Sequence, residues 1–177
     1  MPSLSPRVPD VLTPRPRVLF VGINPSLRSA GTGHHFAGRG NPFWRLLHAS
    51  GLTPVQLAPE EDQRLAEFGL ALTNLCHRPT RAASELSKQE LDVGVRDLRQ
   101  RIPALSPQVV AFVGLSVYQR FFGLKTSGGA GTKPETLDCR DGKATVFALP
   151  NPSGLNASFP GFEDKRVWFH KLAQAIR

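Results

Sequence analysis

Four short apolar runs constrain what this chain can fold into more than any other feature of its sequence. Each run is rich in β-branched or aromatic residues and ends at or next to Gly, Pro or Asn, a pattern typical of buried strands. We therefore predict strands at Arg17–Gly22, Gly69–Leu75, Gln108–Gly114 and Ala144–Leu149.

Helical patterns lie between and after these strands. The fullest is an apolar stripe from Leu91 to Ile102, which begins with a capping box made by Ser87 and Glu90. Shorter patterns predict helices near Phe43–Leu47, at Ser116–Phe122 and at Trp168–Ile176. Because strands that alternate with helices imply right-handed crossovers, we predict an α/β fold: a three-layer α/β/α sandwich around a short, mostly parallel sheet of about four strands.

The length of 177 residues is that of one domain, and the 40% of hydrophobic residues are enough for a core. Residues 1–16 hold five prolines and are expected to form a flexible tail, which leaves residues 17–177 as a single α/β domain. The Gly-rich stretch Lys125–Thr136 is also expected to be mobile. The longest apolar runs have five or six residues, whereas a membrane helix needs about 20, so we expect no membrane partner.

Basic residues outnumber acidic ones, 22 against 14, which gives a net charge of +8 and a pI near 10.3. Sixteen of the 22 are Arg, whose planar guanidinium suits bidentate binding of phosphate. Acidic residues are missing from 11–59, 68–84 and 142–162. These gaps predict a surface that meets a polyanion, although a generally basic protein could carry the same total charge.

The two cysteines, Cys76 and Cys139, lie 63 residues apart, which excludes a four-thiolate zinc or iron–sulfur site. We expect both to be reduced, as in an intracellular protein that is cytoplasmic, or nucleoid-associated if the chain is bacterial. His34 and His35 are adjacent but have no third ligand at metal spacing. We therefore predict no metal site.

Nucleotide-cofactor patterns fail in detail, so no cofactor is predicted. Gly31-Thr32-Gly33 begins a GxGxxG motif, but Phe36 stands at the third glycine position. Gly128–Lys133 has glycines and a lysine without the spacing of a phosphate-binding loop.

The loops after the first and last predicted strands each hold an Asn-Pro turn, Asn24-Pro25 and Asn151-Pro152. Each turn alone is an ordinary loop signal. However, the active sites of open parallel sheets collect at the carboxyl ends of the strands. Two such turns at one sheet edge, beside segments without acidic residues, therefore predict a functional site there.

Longer motifs make the site more specific. The chain resembles the mismatch-specific uracil/thymine DNA glycosylases in GINPS at 22–26, GHHF at 33–36, GNPFW at 40–44, RPT at 78–80, SKQEL at 87–91 and LPNPSGL at 149–155. The motifs follow the same order as in that family and run from about Arg17 to Leu155, most of the chain.

The resemblance implies a monofunctional enzyme that removes uracil, and to differing degrees thymine or modified pyrimidines, from mispaired DNA. It also implies the α/β/α sandwich predicted above. The partner would be double-stranded DNA with G·U or related mispairs, bound by a monomer with no obligate protein partner. Because a base inside a duplex is out of reach, such an enzyme flips the nucleotide into a pocket.

By the same resemblance, Phe36 stacks on the flipped base and Asn24 positions the attacking water. Backbone N–H groups near Ile23 and Phe36 could bind the carbonyl groups of uracil, and we also assign Ser29 and Asn151 to base binding. The alternatives are a core aromatic at Phe36 and a turn-forming role for Asn151. Since an amide cannot take up a proton, the glycosidic bond must break largely before water attacks. The site loops hold no lysine, which argues against a Schiff-base route.

Leu155 is the expected wedge that fills the gap left by the flipped base, and Ser153, Gly154 and Asn156 are expected to contact DNA beside it. The alternative for Leu155 is a core residue at the edge of the sheet.

Any carboxylate base must come from the segment after the second strand, where Glu85, Glu90 and Asp92 are the candidates. Glu90 belongs to the capping box, so we nominate Asp92, at the edge of the apolar stripe, as an accessory base. The alternative is a solvated acid near a helix N-terminus.

Two other functions stay open: a non-catalytic nucleic-acid-binding domain, and a hydrolase of free nucleosides. The first explains the charge but not the paired Asn-Pro loops. Release of a base from a uracil-containing duplex and from free deoxyuridine would separate all three.

Overall fold

A computed structural model of the protein describes residues 7–153 and 156–176. Its central sheet has five strands in the order β2-β1-β3-β5-β4. They are β1 Val18–Gly22, β2 Leu70–Asn74, β3 Val109–Val113, β4 Gly131–Cys139 and β5 Gly142–Leu149. The strands β2, β1, β3 and β5 are parallel, so the four predicted strands and the mostly parallel sheet are confirmed.

Five α-helices accompany the sheet in the described residues: α1 Leu27–Thr32, α2 Phe43–Ala49, α3 Lys88–Leu105, α4 Leu115–Phe122 and α5 Phe162–Ala175. Two 3-10 segments, Pro59–Phe68 and Ala83–Glu85, complete the connections. The capping box of α3 is formed, because Ser87 Oγ accepts the Glu90 N–H and Glu90 Oε2 accepts the Ser87 N–H. None of the helices in the described part of the chain is long and apolar enough to cross a membrane.

The side chains of the sheet alternate between two apolar cores, which explains the three layers. On one face, Phe20 and Phe147 pack with Phe43 of α2 and Phe169 of α5. The opposite core joins residues of the sheet to α3 and α4, among them Leu19, Phe112, Leu98, Ile102 and Phe121. The α/β/α sandwich predicted from the sequence is therefore the observed architecture.

The expectation of a mobile segment at Lys125–Thr136 is wrong for its second half. Strand β4 begins at Gly131 and pairs antiparallel with β5, from Gly131 opposite Ala148 to Cys139 opposite Gly142. The strand lies at the edge of the sheet, and most of its side chains are exposed or half-buried. An edge strand of this kind lacks the continuous apolar run by which the other four are recognised.

The N-terminal segment from residue 7 onward, expected to be a flexible tail, packs against β2. Val8 and Val11 are buried, and Val11 exchanges two backbone hydrogen bonds with Leu72, at 2.9 and 2.8 Å. Asp10 accepts hydrogen bonds from Thr73 Oγ1 and from Arg101. Residues 1–6 of the predicted tail lie outside the described residues.

Candidate functional site

A cavity of about 180 Å³ opens at the carboxyl ends of the parallel strands, where we predicted a functional site from the sequence. This is smaller than the roughly 300–1,000 Å³ of drug-sized ligand sites, and it suits one small ring. The lining residues come from the ends of β1, β2, β3 and β5 and from the loops that follow β1: Gly22, Ile23, Asn24, Pro25, Ser26, Ser29, His35, Phe36, Gly38, Asn41, Asn74, Val113 and Asn151. No carboxylate and no lysine is among these lining residues.

Asn24 directs the oxygen of its side-chain amide away from its protein partners. Its Nδ2 donates to the carbonyl oxygen of Arg78 at 2.9 Å and to Thr80 Oγ1 at 2.8 Å. The Thr80 hydroxyl donates its own proton to the carbonyl oxygen of Ala82 at 2.8 Å, so its oxygen must act as acceptor toward Asn24. Because both amide protons are used, Oδ1 is left as an acceptor that can hold a water.

Phe36 forms an aromatic wall of the cavity. Its ring stacks on that of Phe43, with 4.0 Å between centroids and planes 23° apart, and the residue also lines the cavity. Its φ of 49° is left-handed, a conformation that costs a non-glycine residue about 1–3 kcal/mol and that recurs at functional sites. Within the part of the chain that the structure describes, the Phe36 N–H has no hydrogen-bond partner, which leaves it available to a ligand.

Asn74 is a cavity residue that the sequence analysis missed. It ends β2 beside Gly22, and a Cβ placed on that glycine would lie 2.6 Å from Asn74 Oδ1. Its side chain is buried at 5% exposure and forms no hydrogen bond with any described residue. A free amide that can both donate and accept is the group needed to read the edge of a pyrimidine. The sequence did contain a signal for this residue, because Asn is depleted within strands and yet ends the apolar run of β2.

His35 lines the cavity in its neutral form. Burial lowers the pKa of its imidazole, against the smaller opposing effects of the Pro9 carbonyl and of nearby Asp62 and Asp10. Its Nε2 lies 2.8 Å from the Pro9 carbonyl oxygen, an acceptor, so Nε2 carries the proton. His35 is thereby tied to the N-terminal segment.

The other residues predicted to bind the base also reach the cavity. Ile23 lines it between Gly22 and Asn24. Ser29 is buried, and its Oγ accepts the Ala37 N–H at 3.1 Å, so it holds the loop that carries Phe36. Asn151 accepts the Ser153 N–H at 2.9 Å, which gives it the turn-forming role considered as the alternative, and the residue also lines the cavity.

A second cavity of about 360 Å³ adjoins the first through Asn151. It holds Ser153 and Asn156, two of the predicted DNA contacts, together with Ser116 at the start of α4. The remaining two residues predicted for this loop, Gly154 and the wedge Leu155, lie outside the described residues.

The structure does not bring Asp92 to the cavity. Asp92 is exposed on α3 and is absent from the described residues that line either cavity. Its neighbour Leu91 is buried in the apolar stripe, whereas Asp92 itself lies in solvent. Glu90 is also committed elsewhere, because Arg78 binds it at 2.9 Å and lowers the pKa of its carboxyl.

No group of three or more His, Cys, Asp or Glu side chains that could hold a metal occurs in residues 7–153 and 156–176. The two cysteines are free thiols, and burial raises the pKa of both.

Comparison with known proteins gives two results. The family model of the uracil DNA glycosylase superfamily matches residues 9–175, nearly the whole chain. The fold is similar to the solution structure of a Methanosarcina acetivorans protein described as a candidate uracil DNA glycosylase, with a TM-score of 0.59 and 19% sequence identity. That match covers 96% of this chain and 98% of the other.

Proposed function

The chain belongs to the uracil DNA glycosylase superfamily, and we propose that it is a monofunctional enzyme that hydrolyses the N-glycosidic bond of uracil in mispaired duplex DNA. Membership in this superfamily supports a general activity, that of a DNA N-glycosylase in base excision repair. We further propose mispaired DNA as the substrate, uracil as the preferred base and the residue roles given below.

One observation carries the proposal: three groups with different roles converge on a cavity the size of one ring. Phe36 supplies an aromatic wall, Asn74 an amide without a hydrogen bond to any described residue, and Asn24 an amide oxygen fixed in direction. A flipped pyrimidine requires the first two. Hydrolysis of the bond that joins it to the sugar requires a water held by the third.

The base would enter the cavity with its flat face on Phe36 and its polar edge toward Asn74. The amide of Asn74 can accept from the N3–H of uracil and donate to a neighbouring carbonyl. The N–H of Phe36 could bind the other carbonyl and would stabilise the negative charge that develops on the leaving base.

Water attack would depend on Asn24. Its Oδ1 can hold the water at a fixed place but cannot take its proton. The bond between sugar and base must therefore break largely before the water attacks, so that a sugar cation forms first. Because no lysine lines the cavity in the described residues, water is the expected nucleophile and an abasic site the expected product.

Base release under single-turnover conditions tests the proposal. The substrates are one duplex with a G·U, an A·U or a G·T pair, the uracil single strand and free deoxyuridine, each with and without a chelator. We expect uracil release from G·U DNA that withstands chelator and leaves the strand intact until heat or alkali is applied. Asn24→Ala should slow this release by roughly 10² while the affinity for the duplex stays near that of the parent.

Several outcomes would contradict the proposal. Duplex binding without base release would identify a non-catalytic DNA-binding protein, and hydrolysis of deoxyuridine alone would identify a nucleoside hydrolase. Strand cleavage without heat or alkali would refute the monofunctional route. If Asn24→Ala lost affinity and rate to the same extent, Asn24 would be structural.

A further inference from the structure

A buried carboxylate lies behind the aromatic wall of the cavity. Asp62, in the 3-10 segment Pro59–Phe68, is 2% exposed. Its Oδ2 accepts the backbone N–H of His35 at 3.0 Å, and its Oδ1 lies 3.3 Å from His34 Nδ1. Both partners belong to the loop that carries Phe36, and the Asp62 carboxylate has no other hydrogen bond with the described residues.

The residue that precedes Phe36 is held from three sides. Asp62 accepts the His35 N–H, Trp44 Nε1 donates to the His35 carbonyl oxygen at 3.1 Å, and the Pro9 carbonyl oxygen accepts from the ring. A buried carboxylate is retained only where hydrogen-bond donors satisfy it. The two partners of the Asp62 carboxylate, His34 and His35, lie 28 and 27 residues away along the chain. Asp62 therefore joins two separate segments.

Phe36 needs this support because its backbone is strained. A left-handed φ at a residue with a Cβ persists only when the surroundings over-determine it. Asp62 and Trp44 fix the peptide groups on its N-terminal side, and Ser29 Oγ accepts the Ala37 N–H on the other. The direction of the Phe36 ring therefore depends on these anchors, and Asp62 is the only carboxylate among them.

We infer that Asp62 is a positioning residue, which acts through His34 and His35 to fix Phe36 at the angle and depth that the flipped base requires. The inference rests on the proposed function, because it assigns the carboxylate to the binding of a base in this cavity. Asp62 touches no reacting atom, and it sets how well the cavity is formed before the base enters.

Inhibition of base release by free uracil is the measurement specific to this role, because the free base fills the cavity without contacting the DNA surface. The variants are Asp62→Ala, His34→Ala and His34→Asn, in which the asparagine Nδ2 replaces the histidine Nδ1 as donor. Glu60→Gln is the matched control, because it removes an exposed carboxylate from the same 3-10 segment.

We expect Asp62→Ala to slow single-turnover release from G·U DNA roughly tenfold or more and to weaken inhibition by uracil to a similar extent. Its affinity for a duplex with an abasic-site analogue should stay within about twofold of the parent. His34→Ala should show a smaller loss of the same kind, His34→Asn should restore it, and Glu60→Gln should behave as the parent.

Unchanged uracil inhibition in Asp62→Ala would overturn the inference, as would a loss of duplex affinity that parallels the loss of rate. If Asp62→Ala does not fold, the His34 pair decides, and equal behaviour of His34→Ala and His34→Asn would overturn it. These results differ from failure of the proposed function, in which the parent itself releases no uracil from any duplex.

Discussion

At the scale of single residues, the direction of one amide decides whether Asn24 can hold a water. An asparagine side chain rotated by half a turn would present its NH₂ group to the cavity, and an N–H donor would occupy a lone pair that the water needs for attack. The hydroxyl of Thr80 prevents this rotation, because its proton is taken by the Ala82 carbonyl oxygen and its oxygen can only accept.

Substitution of Thr80 by valine should therefore impair the chemical step and leave DNA binding intact. Thr80→Val keeps the shape and removes the acceptor, and we expect single-turnover release to slow about 10-fold to 10²-fold. Thr80→Ser keeps the hydroxyl and should stay close to the parent. Equal rates for the two variants, measured on G·U DNA at saturating enzyme, would mean that the carbonyl oxygen of Arg78 orients Asn24 without help.

His35 couples stability to pH. Burial holds the pKa of its imidazole below the ordinary value of 6.5, so the unfolded chain takes up a proton at a higher pH than the folded one. Above about pH 6.5 both states are neutral and its contribution is fully present; as the pH falls toward the lowered pKa, the free energy of unfolding decreases.

We expect His35→Gln to flatten this dependence. The glutamine Nε2 can still donate to the Pro9 carbonyl oxygen, but it does not titrate. Urea unfolding at about pH 7.5 and about pH 5.5 measures the effect as a difference in stability between the two conditions. His48→Gln, at an exposed histidine, is the control and should keep the slope of the parent. If His35→Gln kept the pH dependence of stability seen in the parent, other titratable groups would account for that dependence.

At the scale of elements, the close approach of α3 to the end of β2 positions the loop that orients Asn24. Gly94 makes this approach possible, because a Cβ there would overlap the carbonyl oxygen of Leu75. Residues 75–80 follow directly, and they supply the carbonyl oxygen of Arg78 and the hydroxyl of Thr80.

Gly94→Ala should therefore reverse the usual effect of alanine in a helix. Alanine ordinarily stabilises a helix interior by up to about 1 kcal/mol over glycine, but the overlap here should destabilise the fold by about 1–3 kcal/mol. Base release should fall as well, because the loop at Leu75 must shift. In α1, a Cβ on Gly31 meets nothing within 4 Å, so Gly31→Ala serves as the control. A gain in stability for both variants, measured by urea unfolding, would contradict the role of Gly94.

The elements that could be predicted from the sequence are those with an apolar pattern of their own, a continuous run for a strand or a periodic stripe for a helix. Four strands and four of the helices have one, and the alternation of strands and helices gives the layers. β4 was not predicted because an edge strand needs no apolar run. The packing of Val8 and Val11 was not predicted because the prolines of that segment indicated a flexible tail.

The candidate site divides in the same way. Asn24, Phe36 and Asn151 stand in motifs and line the cavity. Asn74 stands in none of those motifs, and it reaches the cavity through its register with Gly22 on the neighbouring strand. Asp92 was misplaced because a helical wheel gives the angle of a residue about the helix but not the tilt of the helix toward the cavity.

At the scale of the whole molecule, the two ends of the parallel strands differ, because only the carboxyl end holds the cavity. The cavity and the loop around Arg39 lie at the carboxyl edge. The β4–β5 turn with Arg140 lies at the amino end of β5, at the opposite edge. A net charge of +8 attracts DNA to any part of the surface, so only a comparison of the two edges shows where the phosphates bind.

Arg39 and Arg140 provide that comparison. Both side chains are exposed, and neither forms an ion pair or a side-chain hydrogen bond with the described residues. Arg39→Gln and Arg140→Gln therefore change the net charge equally and leave the fold alone. Each phosphate neutralised by the protein releases counterions, so the logarithm of the DNA association constant falls linearly with that of the salt concentration, by about 0.9 per phosphate.

We expect a steep dependence for the parent, a slope smaller by about one for Arg39→Gln, and the parental slope for Arg140→Gln. Fluorescence anisotropy with a labelled G·U duplex, titrated at several salt concentrations, measures all three slopes. All three proteins carry Asn24→Ala, which slows base release so that the duplex stays intact during the titration. A flat dependence in the parent would remove the case for a phosphate-binding surface. An equal change of slope in both variants would show that the charge acts from the whole surface rather than from the edge that holds the cavity.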